Sequence, residues 1–396
     1  MIEHLPATIH DALHGLLRHT GAPQSLIDLA SALLIVSTLL GLFLGLFALT
    51  SVLERKILAR IQNRYGPNRV GPFGLFQPVA DGIKMLTKED IVPASADRVL
   101  HFLAPVVAVI PPIVALAILP YGEGLTPVSI ETGILLYFAV STGAEIAIFM
   151  AGWAGASKYA LLGAMRAIAQ MMGYELPLIL SAATAAMISG SLRPDDIVAA
   201  QSGFALGFLP NWFVFTPWGF AAFVVFFIAA LAESNRSPFD LPEGESELVA
   251  GHLTEYSGFK YALFFMAEYV GMFAVCGLGA ALFLGGWQAP LPFLTWIPSW
   301  VWFLAKLYAL VVLMIWVRGT VPRIRVDQLL AFAWKFMLPM AFAALIAAGV
   351  WHHAGRGPLG WSISAVLVVI PYLALGRHFT ARPAPRQYFP TEIAAP

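Results

Sequence analysis

Two groups of acidic residues have the types and spacing to move protons. Glu145, Glu175 and Glu268 each stand inside a long apolar stretch, the third, fourth and sixth along the chain. At about 1.5 Å rise per residue, each falls on the order of 10 Å below the same face. A carboxylate in a membrane costs several kcal/mol unless paired or protonated, so such residues mark ion or proton routes. Helix–helix hydrogen bonding is the plainer reading; the shared depth on separate stretches favours the route. The second group is Glu233, Glu243, Glu245, Glu247 and Glu255, spread over a polar segment after the fifth stretch. Crowded like charges beside an interface push some carboxyl pKa values toward neutrality, where they can load and unload protons. An ordinary solvated acidic loop has the same composition, and composition does not choose. Within that loop Arg236 and Asp240 can pair across the turn at Pro238. Lys306, at mid-stretch, needs an acidic partner or a water-filled cavity.

Metal and thiol chemistry find less support. The single cysteine, Cys276, cannot make an internal disulfide, a Cys₄ zinc site or an iron–sulfur cluster. It is expected as a small core or lipid-facing residue, and any redox centre must belong to another chain or a diffusible molecule. His10 and His14 have i,i+4 ligand spacing, but no carboxylate or cysteine completes a set. Ile9, Leu13, Leu16 and Leu17 share a face with this spacing, so residues 1–25 are read as a short surface helix, not a signal peptide. No metal ligands are expected.

The elements that must position these residues are membrane spans. Of 396 residues, 59% are hydrophobic and only 12% charged, with mean hydropathy +0.77. Soluble chains carry about 25% charged residues. A span needs about 20 mostly apolar residues. Stretches 28–53, 99–120, 131–152, 160–189, 212–233, 261–285, 298–318 and 335–352 qualify, and 359–377 is marginal. The fold class is therefore an all-α polytopic membrane protein of eight or nine spans, a single bundle over 1–396 with two long polar loops, 54–98 and 234–260. Lys and Arg gather on the side of both loops, with only Arg18, Arg193 and Arg356 opposite. The positive-inside rule makes the loops cytoplasmic and the N-terminus external. A ninth span would bring Arg377, Arg382 and Arg386 inside as well. Within 54–98, Leu75, Phe76, Val79, Ile83 and Leu86 line one face of a helix, opposite Asp81, Lys84 and Lys88. It is too short to span and should lie at the interface.

Five motifs resemble one family. They are Glu54-Arg55-Lys56 with the run from Ala59 to Pro72, including Asn63-Arg64-Tyr65-Gly66-Pro67-Asn68; Gln77-Pro78 with Ala80-Asp81-Gly82-Ile83-Lys84 and Lys88-Glu89; Ala232-Glu233-Ser234-Asn235-Arg236 through Pro238-Phe239-Asp240 to Gly251; Thr254-Glu255-Tyr256-Ser257; and Pro322-Arg323-Ile324-Arg325-Val326-Asp327. Together they are similar to the quinone-site membrane component, of H type, of the proton-pumping NADH:quinone oxidoreductase, respiratory complex I. The resemblance runs from about residue 28 to 350.

The resemblance implies a multi-pass subunit of the bacterial inner membrane, at the junction of the hydrophilic and membrane arms. Span one, the amphipathic segment and span six would frame the entry of a quinone tail from lipid. Arg55, Arg64, Asp81, Lys84, Arg236 and Asp240 would shape the quinone chamber. Glu145, Glu175, Glu233, Glu243, Glu245, Glu247, Glu255 and Glu268 would lead from it into the membrane. FMN and iron–sulfur clusters would sit in partner subunits and none in this chain. Partners would be the hydrophilic arm, neighbouring membrane-arm subunits, lipid and quinone, with no nucleic acid; the chain alone should be inactive. Two competing classes share features: a component of a membrane-bound hydrogenase, which the stretch from Arg236 to Gly251 fits less well, and a stand-alone cation/proton antiporter, which large docking loops disfavour.

Overall fold

The computed structural model describes residues 24–205, 209–240, 244, 249–355 and 357–380. The described residues form helices α1 (Gln24–Ile61), α2 (Gln77–Thr87), α3 (Arg98–Ala117), α4 (Gly133–Ser141), α5 (Gly143–Ala154), α6 (Lys158–Ser189) and α7 (Pro194–Ala200). They continue with α8 (Pro217–Glu233), α9 (Gly258–Phe283), α10 (Ser299–Thr320), α11 (Val326–Phe332), α12 (Leu338–Ala354) and α13 (Pro358–Thr380). One two-residue strand pair, Phe204–Ala205 with Leu209–Pro210, is antiparallel.

Eight helical segments among the described residues are long and apolar enough to cross a membrane, and α8 is a shorter apolar helix. The protein is thus an all-α polytopic membrane protein. The expected stretch 212–233 starts as a helix only at Pro217, because Thr216 caps it by accepting from Gly219 N at 3.2 Å and proline suits the first turn. Stretch 335–352 begins earlier, at Val326, running through a π turn over Ala333–Met337. Pro339 cannot bond the carbonyl four residues back, and the π turn absorbs that misfit. The marginal stretch 359–377 is helix α13, which leaves Leu359, Val366, Ile370 and Leu373 exposed. The expected N-terminal helix with His10 and His14, and the basic tail at Arg382 and Arg386, lie outside the described residues.

Contacts sort the connections onto two ends of the bundle. At one end Asp97 N donates to Ala154 O at 3.0 Å, Ile91 N to Ser257 Oγ at 2.9 Å and Ile324 N to Pro238 O at 3.3 Å. This end therefore gathers both long polar segments and the α10–α11 connection. At the other, Ile134 N donates to Leu192 O at 3.1 Å, Glu123 N to Ser299 Oγ at 3.1 Å and Gln201 Nε2 to Ala281 O at 2.9 Å. Between the ends the core is apolar, with Phe43, Leu116, Tyr174, Trp218, Phe273 and Phe303 fully buried. Cys276 belongs to it, its Sγ 3.7 Å from Met314 Sδ.

Candidate functional site

The turn that ends α8 divides two sets of charges. Asn235 takes a positive φ of 47°, which asparagine tolerates, and Gln170 of α6 holds it by donating to Asn235 Oδ1 at 3.2 Å and Ala232 O at 2.9 Å. The chain therefore turns sharply between Glu233 and Arg236, and the two side chains serve different surroundings.

Arg236 is buried against α1 and α9. Its Nη1 donates to Glu54 Oε1 at 2.8 Å, its Nε lies 3.0 Å from Glu268 Oε1, and its guanidinium sits 4.1 Å from the Tyr269 ring centroid. Tyr269 OH donates to Glu54 Oε2 at 2.6 Å, and Arg318 of α10 also pairs with Glu54. Glu54, Glu268, Arg236 and Arg318 form a balanced four-charge lock joining α1, α9, α10 and the polar loop. Burial opposes the charge on Arg236, but Glu268 and Glu54 beside it outweigh burial and hold its pKa above the ordinary arginine value. The Arg236–Asp240 pairing expected across Pro238 is absent. Asp240 instead accepts from Arg323 Nη2 at 2.8 Å, and burial pushes its carboxyl above the usual range against that pull.

Glu233 faces the other way, into a cavity of about 130 Å³. Its Oε2 has no hydrogen-bond partner among the described residues. The cavity runs from His252 and Phe264 at the loop end, past Glu233, Asn235 and Glu268, to Tyr137 and Val275 deeper in the bundle. Pro111 and Pro112 of α3 line it, where missing N–H groups and bent backbone are tolerated because neighbours enclose them. Its volume is room for on the order of four waters at liquid density. Glu145 of α5 and Glu175 of α6 lie close enough to Glu233 for their charges to repel. Span three breaks beside them, at Thr142 between α4 and α5. Thr142 Oγ1 is 2.9 Å from Phe138 O and 2.8 Å from Glu175 Oε1. One hydroxyl hydrogen serves one of these at a time; bonded to Phe138, the hydroxyl can accept from a protonated Glu175.

The structure thus brings Glu145, Glu175 and Glu233 within range of one another's charge, and Glu268, a member of the lock, lines the same cavity as Glu233. Arg55 donates to Asp81 Oδ2 at 2.7 Å, tying α1 to the amphipathic α2, and Gln77 reaches Asp81 Oδ1 at 3.2 Å. Arg55 and Arg64 line a groove with Tyr65, Asn68 and Gln77 on the loop end. Lys84 is on the exposed side of α2, and Leu75, Phe76, Val79, Ile83 and Leu86 are exposed as well. Glu255 is half-buried, its carbonyl 3.1 Å from His101 Nε2. Glu243, Glu245 and Glu247 lie outside the described residues.

Lys306 differs from expectation. Its Nζ donates to the carbonyls of Leu284, Gly286 and Gln288 at 2.6, 2.8 and 2.7 Å and lies 4.0 Å from the Trp212 ring. Among the described residues it has no acidic partner; it satisfies carbonyls just past the C-terminus of α9, where a cation is favoured. Glu54 and Arg318 are the members of the lock that sequence reasoning left out of the site; Glu54 matters most. It stands at the head of the first motif, yet four charges meet there only because α1, α9, α10 and the loop converge.

The chain matches the NADH dehydrogenase family over residues 33–349. It is 49% identical over 298 residues to the H-type NADH-quinone oxidoreductase subunit of Geobacillus kaustophilus (strain HTA426), covering 75% of this chain and 86% of that one. To an H-type NADH-quinone oxidoreductase subunit of Geobacter metallireducens (strain ATCC 53774 / DSM 7210 / GS-15) it is 46% identical over 333 residues, 82% of this chain and 97% of the relative. The H-type relative from Polaromonas naphthalenivorans (strain CJ2) is 44% identical over 316 residues, 78% and 87% of the two chains. Identity of this extent over most of both partners, on a polytopic helical bundle, leaves one conclusion: the chain belongs to the NADH dehydrogenase family.

Proposed function

We propose that this chain is the H-type membrane subunit of an NADH-quinone oxidoreductase, forms much of the quinone chamber at its loop end, and couples quinone reduction to proton translocation. The observation that carries the coupling is the cavity that leads from the loop end past Glu233 and Glu268 into the bundle, with Glu233 Oε2 unpartnered in it. Electrons would reach the quinone from iron–sulfur clusters, fed through FMN, in partner subunits. Quinone takes up two electrons and two protons to become quinol. The chamber would be walled by Arg55, Arg64, Asp81 and Lys84, with the exposed apolar face of α2 as the lipid-side approach. Arg236 and Asp240 would act from behind the wall, holding the loop to α1 and α10.

The charge change at the quinone would be sensed by Glu233, Glu255 and the acidic loop with Glu243, Glu245 and Glu247. It would pass inward as shifts of protons among Glu145, Glu175, Glu233 and Glu268. The loops would face the cytoplasm and dock the hydrophilic arm, with neighbouring membrane-arm subunits beside the bundle in the bacterial inner membrane. Glu175→Gln or Glu245→Gln in the assembled complex tests the relay. Assembly should persist while quinone reduction and coupled proton transport are lost. Full activity in both variants would sink the relay.

A further inference from the structure

A histidine in the cavity has no part in that scheme. His252 sits in the 3-10 turn Gly251–Leu253 and is only 6% exposed. Its Nδ1 has no hydrogen-bond partner among the described residues, and the residue lines the cavity with Glu233 and Glu268. The turn packs closely on α6. A Cβ on Gly163 of α6 would lie 2.5 Å from Gly251 Cα, so the two backbones are in direct contact. Phe264 meets the imidazole edge-on, with 6.0 Å between ring centroids. The backbone that carries the ring is therefore held at the loop end of a largely apolar cavity in which Glu233, Asn235 and Glu268 are the polar partners.

Buried ring nitrogens in native proteins are almost always satisfied, by protein or by water. His101, also buried, shows the ordinary case: its Nε2 donates to Glu255 O at 3.1 Å and its Nδ1 is 3.5 Å from Lys260 Nζ. His252 has no such protein partner on Nδ1, and the residue lines the same cavity as Glu233, whose Oε2 is likewise buried and unpartnered among the described residues. Burial pushes the His252 pKa down to about 4, so the ring is neutral near pH 7. A neutral imidazole has one N–H and one lone pair, and can take a proton on one nitrogen while losing one from the other.

We propose that His252 is a proton-transfer residue at the loop end of the cavity, passing protons between water at the polar loops and the cavity water beside Glu233. One proton binds a ring nitrogen and one leaves the other, so charge balances. The ring is left in the opposite tautomer and resets by rotation or by a return transfer through water. This inference rests on the coupling role proposed for the cavity. It adds a route by which the carboxylates are reprotonated without passing through the quinone chamber.

The test uses the assembled complex in sealed vesicles, reading NADH-driven quinone reduction and internal acidification. His252→Phe keeps an aromatic ring without nitrogens, and His252→Ala leaves a ring-sized hole. Both should lower both readouts by at least about tenfold, and imidazole added at millimolar concentration should restore His252→Ala but not His252→Phe. Wild-type rates in His252→Phe, or a loss in His252→Ala that imidazole leaves unchanged, would overturn the proposal. Should neither variant assemble, His252→Gln decides: it keeps a polar side chain but no ring that can take one proton while losing another, so both readouts should still fall by at least about tenfold, and wild-type rates would overturn the proposal. Glu233→Gln is run in parallel. Its full activity would remove the coupling reading itself, whereas an inactive Glu233→Gln beside an active His252→Phe removes only the histidine.

Discussion

Replacing Arg236 by glutamine removes the cation that lies between Glu54 and Glu268. The lock then holds two carboxylates against Arg318 alone, whose side chain is 36% exposed while that of Glu54 is 3% exposed. Removing one partner of a buried pair costs about 3–5 kcal/mol, mostly from the charge left behind. At 1.4 kcal/mol per tenfold, that is roughly a factor of 100 to 1,000 or more in an equilibrium constant. Adding Glu268→Gln restores balance, leaving Glu54 with Arg318 and Tyr269. The double variant should therefore recover about 0.5–3 kcal/mol relative to additivity. Glu268→Gln alone should cost less than Arg236→Gln, because the surplus cation can turn to water through Arg318. The assay is thermal inactivation of the assembled complex, with the fraction of chain in that complex read on native gels. An Arg236→Gln complex as stable as wild type, or a double variant that is the sum of its singles, would refute the lock.

Other expectations follow from single contacts. Lys306→Met orphans the Leu284, Gly286 and Gln288 carbonyls and should destabilise the complex by about 3 kcal/mol or more, seen as a lower inactivation temperature, without altering the ratio of protons moved to quinol formed. Gly163→Leu forces the Gly251 turn off α6 and should cost about 1–3 kcal/mol by overpacking, read as reduced assembly. His252 titrates at about 4 in the folded chain against about 6.5 unfolded. The unfolded state binds the extra proton between those values, so stability is full above pH 6.5 and falls as pH drops toward 4, by about 3 kcal/mol in all. His252→Phe should flatten that fall in melting experiments from pH 7 to pH 5. Arg55→Ala breaks only an exposed pair with Asp81 and should change stability by less than about 1 kcal/mol.

The spans were legible because lipid demands long apolar runs and lets few charges in. The amphipathic face of α2 was legible from helical spacing. What the chain hid was convergence. Glu54 and Arg236 are 182 positions apart, and nothing local marks them as partners. Arg236 and Asp240 are close in sequence, and proximity suggests a pair that the turn at Asn235 and the position of Arg323 prevent. Lys306 departs from expectation for a related reason. Its depth in α10 signals a needed partner, but the partners are backbone carbonyls of a loop, invisible as residue types. The shared depth of Glu145 and Glu175 does foreshadow their meeting, while Glu233 joins them from the last residue of α8.

The coupling claim is tested most directly by the protons moved per quinol formed in a Glu233→Gln complex in sealed vesicles. Among the described residues Glu233 has an unpartnered oxygen and no ion pair, so glutamine should leave assembly intact. With the carboxylate gone from the cavity, quinone reduction and internal acidification should both fall on the order of 100-fold. Assembled Glu233→Gln complex with the wild-type rate and the wild-type proton-to-quinol ratio would contradict the account.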